Sequence, residues 1–463
     1  MHLKIPTSSA ARSSKLNVIG GGLAGSEAAW QLASAGFPVR LFEMRPIWPT
    51  PAHQTGLLAE LVCSNSLKSN ALNSASGLLK EEMRRLGSLI LRVAEDHALP
   101  AGSCLAVDRH GFSSAITSIL EKHAHVEIVR EEVTSIPPEG LTIIATGPLT
   151  SSSLHGALNS LIEESTATDS FSSPLSKKRG LLSFFDATSP IVLAESLDLS
   201  KVFRASRYGR GGDDYLNCPL DQGAYERLWE ELARAEAIEP KDFEIPFFEG
   251  CLPIEELAVR GKDALRFGPL KPVGLTDPSI GKRPWAVVQL RLENREATMY
   301  SLVGFQTRMR WGEQRKVFRT IPGLEQAEFC RYGSMHRNTF LNSPILVDKN
   351  LQWKTRSGLF FAGQITGVEG YVESAAMGLL AGINVVSFLR GKPLEAPPKD
   401  TALGSLVRYI TEAHPEHFQP MNINFGLFPP LEEGRRIPFR ERRERYASRS
   451  LAALDQWKAN HVP

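Results

Sequence analysis

The pattern of apolar and polar positions begins with a short strand, a tight turn and a helix. The apolar run from Leu16 to Ile19 ends in glycines at G-x-G-x-x-G spacing, and a stretch with helical periodicity follows directly. A second apolar run, Val39 to Phe42, leads into the acidic Glu43. This order predicts the first βαβ unit of a dinucleotide-binding fold, with Glu43 placed to accept a hydrogen bond from a ribose hydroxyl.

Each glycine of the turn has a predicted role. Gly20 is expected to make the turn, Gly22 to let the backbone approach a pyrophosphate, and Gly25 to allow close packing of helix and strand. The helix N-terminus supplies amides and a positive dipole to the phosphates. The residues predicted to contact the cofactor here are Gly20, Gly21, Gly22, Leu23, Ala24 and Gly25.

The following stretches continue the βα rhythm. A helix is predicted over Leu78 to Val93, and Ala106 to Arg109 with the helical and β-like runs after it indicates another pass across the sheet. The buried-strand run Leu141 to Ala145 then leads into Thr146 and Gly147. Such a strand end either contacts a bound nucleotide or is a plain strand-to-loop turn.

The middle of the chain has a different rhythm. The Ser-rich stretch from Ile162 to Gly180 lacks periodicity and predicts a surface loop or linker. Beyond it, short alternating strands surround one amphipathic helix, Gln222 to Ala237. The stretches AVVQLRLEN and MYSLVGFQTRMRW alternate like paired strands, so a second domain is inserted here.

The chain then returns to the first rhythm. Ile345 to Val347 and Gly358 to Ala362 predict a β pair, and a glycine-rich turn precedes a helix from about Glu373. A second glycine-rich helix start suits a long dinucleotide such as FAD, and its spacing is too poor a match for a separate NAD(P) site. The residues predicted to contact the cofactor in this part are Gly363, Gln364 and Gly370.

These elements predict an α/β protein with a Rossmann-like FAD-binding domain and a discontinuous α+β insertion domain. The predicted bounds are a disordered leader over residues 1–14, the FAD-binding domain over 15–185 and 343–463, and the insertion over 186–342. A chain of 463 residues with 42% hydrophobic content is long enough for such domains. The net charge of +2 neither requires nor excludes a polyanionic partner.

The composition also narrows the class of protein. Five cysteines are scattered singly without a C-x-x-C pair, which disfavours a zinc site or a disulfide framework. The sequence therefore predicts no metal, and reduced thiols in the cytoplasm. No membrane span and no signal peptide are expected.

Two cysteines lie in unusual settings. Cys63 has small, polar and partly basic neighbours, which favour a thiolate or positioned hydrogen bonds, although a packing role stays open. Cys218 lies between Asn217 and Pro219 just before the predicted helix, whose dipole and amides are expected to lower the thiol pKa. A loop cysteine without a function is the alternative.

Basic side chains concentrate in four stretches, which suit either phosphate binding or an ordinary mixed surface. They are Arg204, Arg207 and Arg210; Arg260, Lys262, Arg266, Lys271, Lys282 and Arg283; Arg308, Arg310, Arg315, Lys316 and Arg319; and a tail cluster of Arg435, Arg436, Arg440, Arg442, Arg443, Arg445 and Arg449.

Taken together, the motifs resemble one family, the TrmFO enzymes, which are folate- and FAD-dependent tRNA (uracil-5)-methyltransferases related to MnmG/GidA flavoproteins. The resemblance runs through nearly the whole chain. It is carried by VIGGGLAGSEAAWQLA, FEMRP, LVCSNSLKSN, ATGPLTS, FFDATSPIV, DYLNCPL, FEGCLPIEELAVRGKDALRFGPLKPVGL, GFQTRMRW, RYGSMHRNTFLNSP, AGQITGVEGYVESAAMGLLAGIN and FQPMNINFGL. Leu220 after N-C-P and Ser334 depart from the usual pattern.

The resemblance implies methylation of C5 of uridine-54 in the tRNA T-loop. Methylenetetrahydrofolate is the implied carbon donor, reduced FAD the reductant and NAD(P)H a co-substrate. It further implies that Cys218 adds to uracil C6 and that Cys63 is a base or proton shuttle at C5. The basic stretches become expected tRNA contacts, and the implied pocket residues are Tyr332, His336 and Arg337.

Three other functions stay open at this point. One is an MnmG-type flavoprotein that modifies the wobble uridine, and the Asn-Cys-Pro motif at Cys218 argues against it. Another is a small-molecule FAD/NAD(P)H oxidoreductase, which a second full glycine fingerprint would favour. The third is a flavoprotein that folds tRNA without chemistry. The sequence does not set the oligomeric state.

Overall fold

The computed structural model describes residues 16–168, 181–238, 252–432 and 437–461. The predicted leader over residues 1–14, most of the Ser-rich stretch and Arg435 and Arg436 lie outside the described residues.

The first part of the chain alternates strands and helices. Its elements are β1 (Leu16–Ile19), α1 (Leu23–Ser34), β2 (Val39–Phe42), β3 (Ser66–Ser69), α2 (Ala75–Arg85), α3 (Leu89–Asp96), β4 (Ala98–Leu99), β5 (Cys104–Val107), α4 (Arg109–Glu121), β6 (Val126–Val129), β7 (Thr142–Ile144) and α5 (Ser152–Thr168).

The middle part is rich in strands, and the last part is mainly helical. The middle elements are β8 (Leu181–Ala187), β9 (Ile191–Leu193), β10 (Phe203–Arg204), β11 (Tyr215–Leu220), α6 (Gln222–Arg234), α7 (Ile254–Val259), α8 (Ala264–Phe267), β12 (Ala286–Leu292), β13 (Met299–Leu302), α9 (Trp311–Phe318), β14 (Phe329–Arg331) and β15 (Met335–Leu341). The last elements are α10 (Ser343–Leu346), β16 (Leu359–Phe361), α11 (Tyr371–Leu389), α12 (Ala402–Glu412) and α13 (Phe439–His461).

A five-stranded parallel sheet forms the centre of the first and last parts, in the order β16-β7-β1-β2-β6. All four residues of β1 are buried, as expected for a strand covered on both faces. Helices α1 and α11 cross closely at Gly378 of α11. A Cβ at this position would lie 2.1 Å from the carbonyl oxygen of Ala24 in α1, so the crossing requires glycine there. The predicted α/β fold with a discontinuous Rossmann-like domain is confirmed.

A six-stranded antiparallel sheet forms the centre of the middle part, in the order β10-β11-β12-β13-β9-β14. Its strands lie between residues 191 and 331, inside the predicted insertion. The predicted pairing of AVVQLRLEN with MYSLVGFQTRMRW is confirmed for β12 and β13, and the second strand ends at Leu302. Strands β8 and β15 pair with each other where the chain enters and leaves this part.

Four predicted elements differ in the structure. The single helix over Leu78 to Val93 is instead two helices, α2 and α3, separated at Gly87, whose φ is +78°. Strand β5 belongs to a small antiparallel sheet with β3 and β4, so it does not cross the central sheet. Ile345 lies in the short helix α10 rather than in a strand. Residues 162–168 are the last turns of α5 rather than loop.

Helix α11 is long and apolar enough to meet a test for a membrane span, although the sequence analysis expected no such segment. Of its most apolar window, 83% is buried inside the protein. A central helix of a globular fold gives the same pattern.

Candidate active site

A cleft with about 1000 Å³ of open space lies at the carboxyl ends of β1, β2 and β7. This edge of a parallel sheet is where ligands bind in doubly wound folds. The predicted contact residues that line it are Gly20, Gly22, Leu23, Ala24, Glu43, Thr146, Gly147 and Gln364. Arg45, Thr50, His53, Tyr371 and Ser374 also line it and were not singled out from the sequence.

The first glycine turn shows a separate physical requirement at each position. Gly20 has φ +105°, and a Cβ there would lie 2.5 Å from the Ala145 carbonyl oxygen. At Gly25 a Cβ would lie 1.7 Å from the Gly20 carbonyl oxygen. At Gly22, by contrast, a Cβ would meet no protein atom within 4 Å. Gly20 and Gly25 are therefore required by the fold, whereas Gly22 keeps space open at the pocket.

The start of α1 suits a pyrophosphate. Gly22 is the N-cap, and no side chain caps the helix there. Helix N-termini bind anions through their backbone amides and dipole. The residues present thus fit the ADP part of FAD.

Glu43 lies in the pocket wall and is held by neighbours. Its Oε2 accepts a hydrogen bond from the amide of Gly21 at 3.0 Å, and its Oε1 one from Nε of Arg45 at 2.9 Å. Burial by itself would raise the Glu43 pKa, but the hydrogen bonds and charge of Arg45 outweigh it and leave that pKa below its ordinary value. Glu43 is therefore an ionised acceptor, as a ribose contact requires. Gly21 packs behind this carboxylate rather than lining the pocket.

The second glycine-rich turn approaches the same pocket. Gly363 has φ +81°, and a Cβ there would lie 2.7 Å from Cβ of Ala24 in α1. Gln364 lines the pocket and donates to Glu369 at 2.5 Å. Gly370 has φ +111° and is the N-cap of α11. The second glycine-rich turn therefore packs against the start of α1. Gln364 lines the pocket, whereas Gly363 and Gly370 lie behind its wall.

Tyr371, the first residue of α11, connects this pocket to Cys63. Its phenol oxygen accepts hydrogen bonds from the amides of Cys63 at 2.7 Å and Ser64 at 3.1 Å. The Cys63 thiol, which is partly exposed, lies 3.7 Å from the carbonyl oxygen of Ala187. Burial raises the pKa of Tyr371 well above its ordinary value, so the phenol stays protonated. Cys63 is thereby fixed at the edge of the cofactor pocket.

Two partly buried guanidinium groups hold the residues that precede Cys63. Arg109 donates to the carbonyl oxygen of Leu61 and pairs with Glu293 at 2.9 Å. Arg331 donates to the carbonyl oxygen of Val62. Both guanidinium groups lie beside the backbone that leads into Cys63. The thiol therefore lies in a positively charged setting, which is typical of reactive cysteines.

A third arginine holds the residues that follow Cys63. Arg291 in β12 donates to Asn65 Oδ1 at 2.7 Å and to Ser64 Oγ at 3.0 Å. The Asn65 amide in turn donates to the carbonyl oxygens of Val107 and Leu292. The arginines and Tyr371 are far from Cys63 in sequence, so only the polar neighbours of the cysteine gave a signal.

The predicted setting of Cys218 is wrong. Cys218 lies inside β11 with a fully buried side chain, in the core that also contains Tyr225 and Leu228 of α6. Burial raises its pKa far above the ordinary value, so no helix terminus lowers it. The residues around Cys218 indicate a position just before the helix, whereas the residue lies within a strand. The structure does not bring Cys218 to the hydrogen-bonded segment around Cys63.

Tyr332, which the resemblance implies lines the flavin or folate pocket, does not line the cleft described above. Its ring stacks on Trp311 at 5.4 Å and on Phe329 at 5.2 Å between centroids, and its phenol oxygen accepts from Arg315. These contacts place it on the insertion domain. The side chains of His336 and Arg337 lie outside the described part of the chain.

Comparisons with known proteins agree with this architecture. The family described as "Glucose inhibited division protein A" (GIDA) matches residues 15–393. The solved structure of GidA from Aquifex aeolicus superposes with a TM-score of 0.67 at 17% identity, over 97% of this chain and 74% of that one. At this identity the structural likeness shows the fold.

Relatives at higher identity are more specific. The "Methylenetetrahydrofolate--tRNA-(uracil-5-)-methyltransferase TrmFO" of Symbiobacterium thermophilum is 55% identical over 451 residues, which cover 96% of this chain and 98% of that protein. The protein of the same name from Geobacter sulfurreducens is 56% identical over 446 residues, covering 96% and 99%. The chain therefore belongs to the GidA family and, within it, to the TrmFO proteins.

Proposed function

We propose that the protein methylates C5 of uridine-54 in the tRNA T-loop with methylenetetrahydrofolate as carbon donor. The observation that carries this proposal is the position of Cys63, a thiol held by Tyr371 at the edge of a pocket built for a dinucleotide. Relatives at 55% identity and above bear the name of this activity. A tRNA substrate also places the reaction in the cytoplasm.

The pocket residues support FAD as the cofactor. The start of α1 would hold the pyrophosphate, and Glu43 would accept a ribose hydroxyl. Bound FAD in its reduced form supplies the electrons that convert the transferred one-carbon unit to a methyl group. NAD(P)H is the proposed source of those electrons.

Cys63 is the proposed nucleophile, in place of Cys218. Uracil C5 is a poor nucleophile until a thiolate adds to C6, because that addition places an enolate's electron density on C5. Cys63 is partly exposed, and Arg109 and Arg331 hold the backbone that precedes it, whereas Cys218 is enclosed in a hydrophobic core. After C5 has taken up the carbon, its proton passes to water, and the C6–S bond then breaks and regenerates the thiolate.

The fixed backbone around Cys63 supports this role. Tyr371, Arg331 and Arg109 together hold the main chain from Leu61 to Ser64. A thiol on a fixed segment keeps its position when the base arrives, which lowers the entropic cost of attack.

Methyl transfer with two labelled donors tests the proposed function. Unmodified tRNA is incubated with the purified FAD-loaded protein, a reductant and either labelled methylenetetrahydrofolate or labelled S-adenosylmethionine. The proposal expects label from the folate alone. Label from S-adenosylmethionine, with none from the folate, contradicts it.

A further inference from the structure

One stretch of the insertion domain exposes cations that acidic side chains do not neutralise. Between Arg266 and Trp285 the chain carries four basic residues and a single acidic one, Asp277. Asp277 is buried and accepts hydrogen bonds from the amide and hydroxyl of Ser279. The exposed cations are Lys271, Lys282 and Arg283. No carboxylate of the described residues lies within 4.0 Å of any of them. We call this stretch, with Tyr208, the 266–285 surface.

Two of the other basic stretches contain ion pairs. In the stretch from Arg308, Lys316 pairs with Glu231 at 2.8 Å, and Arg310 lies 3.7 Å from Glu236. In the tail, Arg445 pairs with Glu441 at 2.7 Å. Paired surface charges offer little net attraction to a polyanion. The 266–285 surface therefore offers three cations that no carboxylate of the described residues pairs, whereas these two stretches contain ion pairs.

Aromatic and apolar side chains are interleaved with these cations. The guanidinium of Arg266 lies 4.1 Å from the ring centroid of Trp285 while its Nε donates to the Trp285 carbonyl oxygen. The exposed fractions are 76% for Phe267, 63% for Tyr208 and 57% for Ile280. Exposed rings beside arginines are the groups on which unpaired RNA bases stack.

The 266–285 surface is continuous with the Cys63 site through one face of β12. On this face Arg291 contacts Ser64 and Asn65, and Gln289 accepts a hydrogen bond from Arg207. Arg207 donates to the carbonyl oxygens of Lys271 and Val273. Residues two apart on a strand are about 7 Å apart and face the same side, so Arg291 and Gln289 connect the Cys63 segment and the 266–285 surface through neighbouring positions of one strand.

We propose that the 266–285 surface binds the sugar-phosphate backbone and unpaired bases of the tRNA next to the target uridine. This rests on the proposed function, because the tRNA is its substrate. Lys271, Lys282 and Arg283 contact phosphates, while the pair Arg266 and Trp285 provides a stacking surface.

Salt-dependent binding of unmodified tRNA to the FAD-loaded protein tests the surface. The triple variant Lys271→Gln, Lys282→Gln, Arg283→Gln removes unpaired cations. A control with the same change in charge, Arg310→Gln, Lys316→Gln, Arg445→Gln, removes paired ones. Each lost phosphate contact lowers the slope of log K against log salt by about 0.7 to 0.9 in magnitude. We expect a slope smaller by about 2 and affinity at least about tenfold weaker in the first variant alone.

The readouts separate this proposal from the proposed function. Flavin absorbance and circular dichroism show that both variants are folded and loaded. Equal affinities and slopes for the two variants, with wild-type tRNA binding intact, overturn the surface proposal alone. Failure of the wild-type protein to bind tRNA or to transfer the folate carbon overturns the proposed function, and the surface proposal with it.

Discussion

At the scale of single residues, two cysteines with similar sequence signals lie in opposite environments. Cys63 is fixed through its own amide by Tyr371, and two guanidinium groups lie close to it. Cys218 faces the core of the insertion domain, where burial raises its pKa. The flanking residues of each cysteine were visible in the sequence. Their burial depends on contacts between distant parts of the chain, which no local pattern encodes.

Alanine substitutions separate the two thiols. Cys63→Ala should keep FAD and lose methyl transfer, because the nucleophile is gone. Cys218→Ala should keep measurable transfer and lose about 1 to 2 kcal/mol of unfolding free energy, since it leaves a small cavity in a packed core. Transfer rates and urea unfolding of the flavin-loaded proteins are the measurements. Complete loss of transfer in Cys218→Ala with unchanged stability would restore the nucleophile role to Cys218.

At the scale of elements, the connection from β1 to α1 is the part that the sequence predicts best. Its strand, turn and helix are set by neighbours within about ten residues, so spacing alone is informative. Elsewhere local signals were overridden. The run Leu78 to Val93 is continuous in periodicity, yet Gly87 adopts a left-handed conformation and divides it. Ile345 has β propensity, yet it lies in the short helix α10.

Alanine substitutions of two glycines in the turn between β1 and α1 are expected to have different effects. In Gly25→Ala the new Cβ would lie 1.7 Å from the Gly20 carbonyl oxygen, so the turn cannot form and the protein should be destabilised. In Gly22→Ala the Cβ meets no protein atom within 4 Å, so the protein should fold but bind FAD more weakly. Thermal unfolding and the flavin absorbance after purification distinguish them. Full flavin content in Gly22→Ala would contradict the proposal that the pyrophosphate binds at this turn.

The junction of α2, α12 and α13 contains a buried carboxyl group. Glu82 of α2 accepts from the amides of Ala402 at 2.7 Å and Leu403 at 2.9 Å, at the start of α12, and from Ser450 of α13. Burial outweighs these hydrogen bonds and raises the Glu82 pKa to about 7. The group that joins three helices is therefore sensitive to pH.

This pKa predicts a pH dependence of stability. Between pH 4.5 and about 7 the unfolded chain has lost the Glu82 proton while the folded protein keeps it. The unfolding free energy should therefore fall as pH rises, by up to about 3 kcal/mol from this group. Glu82→Gln should abolish this pH-dependent part of the unfolding free energy. It should also lower the unfolding free energy by the same amount at every pH, because one amide oxygen replaces two carboxylate oxygens as acceptor. Urea unfolding at pH 4.5 and pH 8 measures the difference, and identical pH dependence in both proteins would refute it.

At the scale of the whole molecule, two distant parts of the chain converge on Cys63. Tyr371 comes from the last part, and Arg291 and Arg331 come from the insertion domain. The cofactor pocket could be predicted because parallel strands end at a common edge. The arginines could not, since an arginine bound to a backbone carbonyl has no sequence pattern of its own. The insertion domain thus positions the thiol as well as offering a surface for tRNA.

The most direct test follows the labelled carbon to its final atom. The reduced, FAD-loaded wild-type protein and Cys63→Ala are each given labelled methylenetetrahydrofolate and unmodified tRNA, and the nucleosides are identified by mass spectrometry. The account predicts label in the C5 methyl group of uridine-54 with the wild-type protein and none with Cys63→Ala. Label at another nucleotide, or equal labelling by both proteins, would contradict it.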